Sequence, residues 1–278
     1  MRMIKIPILF FLANLFCAVI SGQEYLKASD LDKPDFQWPE GKKMALSLTF
    51  DDARLSQVDK GIPLLDRYDV KATFYVSISN MIQRLDGWKQ AIRNGHDIGN
   101  HSLLHPCTIN YGWPQEAALE NYTLQRMTKE LDSASVMINN ILGIRPHSFA
   151  FPCGQTFVGR GVNLKSYVPL VASMFESGRL WLSEGPNDPV FCDMAQLTGM
   201  ELDGKSFGQI KSLIESASIK GQWLILAGHE MDEQGRQTSL LETIEAICKY
   251  ASDPANGIWI DNVHNIAAYI KSKRGHDD

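Results

Sequence analysis

Cysteine and histidine are both scarce in this 278-residue chain, with five of one and seven of the other. So few cysteines cannot staple a fold of this length. The chain must rely on a hydrophobic core, which its 44% apolar content can fill. A basic stripe is also missing. With a formal net charge of −5, the sequence excludes nucleic acid or another polyanion as the expected partner. No internal repeat, low-complexity tract or interior linker divides the sequence, so one main domain is expected.

The N-terminus is set apart from that domain. MRMIKIPILFFLANLFCAVISG begins with Arg2 and Lys5, runs apolar from Ile6 to Ile20 and ends on Ser21 and Gly22. The run is short for a membrane span, and the pattern predicts a secretory signal peptide over residues 1–22. Cys17 lacks neighbours suited to lipidation, because Asn14, Leu15 and Phe16 precede it. Export to the periplasm or beyond is therefore expected, with no stable membrane anchor after cleavage. Loss of Arg2 and Lys5 takes the charge from −5 to −7. Residues 23–42, with Pro34 and Pro39, read as an irregular leader, residues 43–272 as the main domain and 273–278 as a tail.

The main domain opens on MALSLTFDDA, Met44 to Ala53. Its nearly continuous apolar run reads as a strand buried on both faces of a parallel sheet. The run stops on two adjacent carboxylates, Asp51 and Asp52. Either these cap the next helix or they share a cleft, in which case their repulsion calls for a cation. Strand and helix patterns then alternate to the end of the chain. Helices are expected over 56–68, 87–94, 115–142, 206–219, 240–250 and 263–271. Strands are expected over 71–76, 96–100, 147–151, 196–200, 223–227 and 257–260, with a further strand near Ser173. Seven or eight such units predict an α/β fold closed as a distorted (β/α)7-type barrel.

Chemistry in such barrels sits where strands end. Asp51 and Asp52 follow the first strand, His101 and His105 the third, and His229 a late one. In HSLLH, histidines four apart on a helical turn share a face and can offer two nitrogens to one metal ion. Joined by an Asp, they make a three-ligand set with open positions. Such a set suits a hydrolytic zinc-type centre or a non-haem iron oxygenase, and export argues for the former.

These motifs resemble the NodB-type polysaccharide deacetylases, carbohydrate esterase family 4, over roughly Lys43 to Lys271. TFDDA is similar to that family's TFDD motif, GNHSLLHP (Gly99 to Pro106) to its H-[ST]-x-x-H motif, and YDVKATFYV to its second strand. The resemblance implies a distorted (β/α)7 barrel and metal-dependent hydrolysis of an acetyl ester or acetamide on a carbohydrate. It implies Asp51 as catalytic base, Asp52, His101 and His105 as ligands of one divalent ion, and His229 as general acid. Zinc is the expected ion, with cobalt or nickel as alternatives. The rival readings are a degenerate member that binds a glycan without cleaving it, and a metal-dependent amidohydrolase acting on a non-sugar amide.

The sequence departs from the family in two places. The third motif reads Phe149-Ala150-Phe151-Pro152-Cys153-Gly154, with Ala150 where an arginine would hold the base. Arg54 and Arg160 are the replacements nearest in sequence, or the metal alone serves. Pro152, Cys153 and Gly154 are then the expected oxyanion segment, through a backbone donor that the Cys153 substitution leaves intact. In the late motif Ala227 stands where a leucine would line the acetyl pocket, and Leu226 is the substitute offered. Asp188, Asp193 and Trp181 lie where the residues orienting the acid are expected, and Trp113 is the candidate for stacking on a sugar ring. Cys107 and Cys153 either pair or remain two core thiols.

Overall fold

A computed structural model of the chain describes residues 36–274. The expected signal peptide, most of the leader and the last four residues of the tail lie outside the described residues. The first strand, β1 (Met44–Asp51), is buried along its whole length. Met44, Leu46, Leu48 and Phe50 point outward into the largest apolar cluster, against Ile62, Leu64 and Leu65 of helix α1 (Ile62–Arg67). Full burial of each such side chain is worth roughly 1.5–3 kcal/mol. Ala45, Ser47, Thr49 and Asp51 take the opposite face, into the barrel, because strand side chains alternate. Two of these polar residues are satisfied there. Ser47 Oγ accepts from the Trp223 indole at 3.1 Å, and Thr49 Oγ1 donates to the Leu226 carbonyl at 2.8 Å.

The remaining main elements are β2 (Thr73–Val76), α2 (Leu85–Arg93), β3 (Asp97–Asn100), α3 (Leu124–Leu142), β4 (Ser148–Ala150), α4 (Val168–Met174) and β5 (Ser177–Arg179). They are followed by β6 (Met200–Glu201), α5 (Phe207–Lys220), β7 (Trp223–Gly228), α6 (Leu241–Ser252), β8 (Ile258–Ile260) and α7 (Val263–Arg274). The strands pair in parallel in the order β5-β4-β3-β2-β1-β7-β6, and β8 adds to the start of β1. The stretch 197–201 spans the seam between the two edges. Leu197 bonds Gly178 and Leu180 at 2.8 Å on one side, and Met200 and Glu201 pair with Leu226 and Ala227 on the other. This is the expected distorted (β/α)7-type barrel. The described end of the leader packs on it: Trp38 donates to the Gly221 carbonyl at 2.9 Å and stacks on Tyr269.

Four local expectations need correction. The strand placed near Ser173 is instead helix α4, which Pro169 starts, and the strand lies just beyond it as β5. The long helix begins at Leu124, not Gln115, because Thr123 caps it by accepting from the Arg126 amide at 3.1 Å. The residues before it form short 3-10 turns. The strand expected over 196–200 starts only at Met200. Residues 101–105 are not helical; Ser102 and His105 take positive φ, and a turn rather than a helical face brings the two histidines together. Among the described residues no helix is long and apolar enough to cross a membrane.

Candidate active site

At the end of β1 the backbone reverses hand. Asp52 and Ala53 adopt φ of 72° and 52°, a conformation that L residues rarely hold. It is held by outside bonds: Asn80 donates to the Asp52 carbonyl at 2.9 Å. Buried Gln57 donates to the carbonyls of Asp51 and His229 at 2.7 and 2.8 Å, clamping the ends of β1 and β7 together. Asp51 thus continues the inward line of β1, while Asp52 is turned toward the end of β3. Both line one cavity of about 790 Å³, together with His101, His105, Cys153 and His229.

Asp52 Oδ1 lies 3.6 Å from His101 Nε2 and 3.7 Å from His105 Nε2. Zinc ligands about 2.0–2.1 Å from a tetrahedral ion stand roughly 3.3 Å apart, so this two-nitrogen, one-carboxylate set fits a divalent cation. The ligand states agree. His101 Nδ1–H donates to the Ala150 carbonyl at 3.0 Å, which leaves its Nε2 lone pair facing Asp52. Burial, and then the neighbouring His101 ring, lowers the His105 pKa to about 4, so this ring is a neutral donor. Burial alone would raise Asp52, but the adjacent His101 and His105 rings and the Arg54 guanidinium outweigh it and hold its pKa at about 2.

Two further residues complete the cluster. Arg179, fully buried at the end of β5, donates through Nη2 to Asp51 and through Nη1 to the Leu180 carbonyl at 2.9 Å. Burial pushes the Asp51 pKa up, and the charges of Arg179, His101 and His229 more than reverse that. On the far side, His229 Nδ1–H donates to Asp203 Oδ2 at 2.7 Å, and the His229 amide donates to Asp203 Oδ1 at 3.1 Å. Ser239 Oγ holds the same oxygen at 2.8 Å. Burial would lower the His229 pKa, but the Asp203 bond and the charges of Asp51, Asp203 and Asp52 raise it. Trp181 sits edge-on to the ring, with centroids 4.9 Å apart.

The family model for polysaccharide deacetylase matches residues 39–167, the stretch that supplies Asp51, Asp52, His101, His105 and Cys153. Over that stretch, just under half of its length, the chain is similar to the polysaccharide deacetylases. Over 62 residues it is 44% identical to the peptidoglycan-N-acetylglucosamine deacetylase PgdA of Listeria monocytogenes, covering 22% of this chain and 13% of that protein. The chain spans only 11% to 37% of the length of the curated relatives it matches. Its fold is similar to that of a family 4 acetyl xylan esterase from Clostridium thermocellum in complex with a cobalt ion. That match has a TM-score of 0.54 and 16% identity, covering 81% of this chain and 91% of the esterase. Puue allantoinase shares the fold at a TM-score of 0.63 and 13% identity, covering 92% of this chain and 100% of that one.

Within this domain, most residues singled out in the sequence converge, and some do not. The cation beside Asp51 is Arg179, which the sequence reading missed. Arg54 instead pairs with Asp52 at 2.9 Å, and Arg160 sits near Glu120, outside the cavity. The partner of His229 is Asp203, also missed; Asp193 caps a 3-10 turn, and Asp188 Oδ1 accepts from the Val190 amide. Trp181 does reach His229. A strand-end rule applied to the short β6 would have flagged Asp203. Leu226 needs correction: it lies three residues before His229, so it faces the helices and joins the outer core. Leu182 lines the cavity instead, and Trp113 stands at its rim beside Tyr111. Of the oxyanion segment only Cys153 lines the cavity; Pro152 is buried, and the Gly154 amide donates to the Phe151 carbonyl at 2.8 Å. Cys107 and Cys153 form a disulfide that ties the His105 loop to this segment.

Proposed function

We propose that the protein is an exported, metal-dependent carbohydrate deacetylase that hydrolyses N- or O-acetyl groups on a polysaccharide or oligosaccharide. The observation that carries this reading is a polarised cavity. On one side Arg179 helps hold down the pKa of the Asp51 carboxylate, on the other Asp203 helps raise that of the His229 imidazole, and the Asp52, His101 and His105 cluster lies in the same cavity. Groups whose pKa values are driven apart in this way serve as base and acid of one reaction. Export rests on the N-terminal sequence. The acetylated-glycan substrate rests on the similarity to polysaccharide deacetylases and on the aromatic pair Tyr111 and Trp113, stacked 6.4 Å apart at the rim.

A zinc, cobalt or nickel ion held by Asp52, His101 and His105 would supply Lewis acidity toward the acyl oxygen and the attacking water. The chain's own groups do the rest. Asp51 takes a proton from the water as its oxygen bonds to the acyl carbon. The backbone N–H of Cys153 faces the negative charge that develops on the acyl oxygen. His229 delivers a proton to the leaving nitrogen or oxygen as the C–N or C–O bond breaks, and acetate departs. Each proton transfer accounts for roughly 10²–10⁴-fold.

The test is acetate release from acetylated xylan, chitooligosaccharide and peptidoglycan fragments, measured after chelation and again after metal is restored. Hydrolysis that disappears and returns with the metal is expected. Binding without hydrolysis on every substrate would replace this reading with that of a glycan-binding protein.

A further inference from the structure

We propose a second metal site at the opposite end of the barrel, formed by His147, Glu176 and His264, which takes a first-row divalent cation such as Zn²⁺. It rests on its own residues and is independent of the hydrolytic reading above. His147 and Glu176 immediately precede β4 and β5, and the Glu176 amide donates to the His147 carbonyl at 2.8 Å, extending that strand pair by one rung. Their side chains therefore start side by side. His264 arrives from the first turn of α7. One ligand atom from each of the three lies within 4.8 Å of the others.

The geometry is specific. His147 Nδ1 is 3.3 Å from Glu176 Oε1, and His264 Nδ1 is 2.8 Å from Oε2. Ligands around a tetrahedral zinc stand roughly 3.3 Å apart, so the set needs only a small opening to enclose an ion. The two imidazoles stack with centroids 4.7 Å apart and planes 27° off parallel, bringing the same ring nitrogen of each to one carboxylate. Two imidazole nitrogens plus one carboxylate, open to solvent on one side, is a donor set that imidazole-preferring cations favour. Arg145, Pro146 and Phe175 help line the cleft of about 280 Å³ beside His147 and Glu176.

The position gives the site a structural role. Lys271 on α7 already donates to the Glu176 carbonyl at 2.8 Å. An ion would add a second tie between the closing helix and the β4–β5 pair. The active-site cluster sits at the other ends of these strands, so the two ions would bind without sharing a ligand.

The full chain is dialysed against Zn²⁺ alone and its metal counted, as the native protein and as His105→Ala, His147→Ala and Glu176→Ala. We expect an ion that His105→Ala retains and that both His147→Ala and Glu176→Ala lose. Thermal unfolding gives a second readout. With Zn²⁺ roughly 100-fold above its Kd, His105→Ala should gain about 5–10 °C in Tm, and His105→Ala/His147→Ala should gain none. His147 is exposed, so its removal leaves the core intact. The proposal is overturned if His105→Ala binds no ion, or if its ion survives both His147→Ala and Glu176→Ala.

Discussion

Ala150 and Arg179 are register partners on the adjacent parallel strands β4 and β5. Register partners point to the same face of a sheet. The guanidinium that the sequence motif lacks at position 150 therefore enters the barrel interior one strand away and reaches Asp51. The Ala150 carbonyl, meanwhile, orients His101.

This relationship predicts the behaviour of the base. Arg179→Met leaves Asp51 buried without its cation, and breaking a buried pair costs roughly 3–5 kcal/mol. Burial then acts on Asp51 with less opposition, so its pKa rises and the acid limb of the pH–rate profile moves to higher pH. Ala150→Arg alone should be harmful, since it crowds a second guanidinium beside the first. Combined with Arg179→Ala it should recover activity relative to Arg179→Ala. Kinetics of the four variants across pH check this, and an unmoved acid limb in Arg179→Met argues against the pairing.

The acid limb has a counterpart. In the proposed reaction His229 acts protonated, and its pKa is raised in the folded chain, so activity should fall as pH climbs through that raised value. Asp203→Asn removes the bond that helps raise it and should bring the fall to lower pH, with a loss of roughly 10²-fold or more at neutral pH. Metal content should not change. A profile that keeps its alkaline limb in Asp203→Asn would mean another group donates the proton.

The neighbouring carboxylates should separate by metal content. Asp51→Asn is expected to keep the ion and lose most turnover, whereas Asp52→Asn, His101→Ala and His105→Ala should lose the ion itself. Equal metal content in Asp51→Asn and Asp52→Asn would overturn the division between base and ligand.

The disulfide should matter for stability and for positioning alike. Replacing Cys107 and Cys153 together by alanine opens a loop with a sequence separation of 46 and should cost roughly 2–4 kcal/mol of stability. The same change frees the His105 loop from the Cys153 segment, so turnover should fall while some metal is retained. Denaturant midpoints and acetate release measured side by side test both parts.

Trp113 is half exposed at the rim and 5.8 Å, centroid to centroid, from His105. Trp113→Ala should raise KM for an oligosaccharide by roughly 2–10-fold, the worth of one aromatic contact. Hydrolysis of a small acetyl ester that never reaches the rim should be unchanged. An equal effect on both substrates would assign Trp113 to the fold of the loop and not to the sugar.

The parts of the protein that the sequence determined by itself are those written in contiguous residues. The buried run Met44 to Phe50 that ends on two carboxylates, the spacing of His101 and His105, and the alternation of strand and helix are each local patterns. Tertiary structure decided the partners. Arg179 and Asp51 are 128 positions apart, and His229 and Asp203 are 26 apart. A charged residue in a three-residue strand leaves no periodic signal, so Arg179 gained its meaning only when β5 was laid beside β4 in register. The pairing of Cys107 with Cys153 depended likewise on two loops meeting at the barrel mouth. Leu226 is close to His229 in sequence yet lies in the outer core, away from the cavity. In a strand the parity of the position, and not its distance along the chain, decides whether a side chain faces the cavity or the helices.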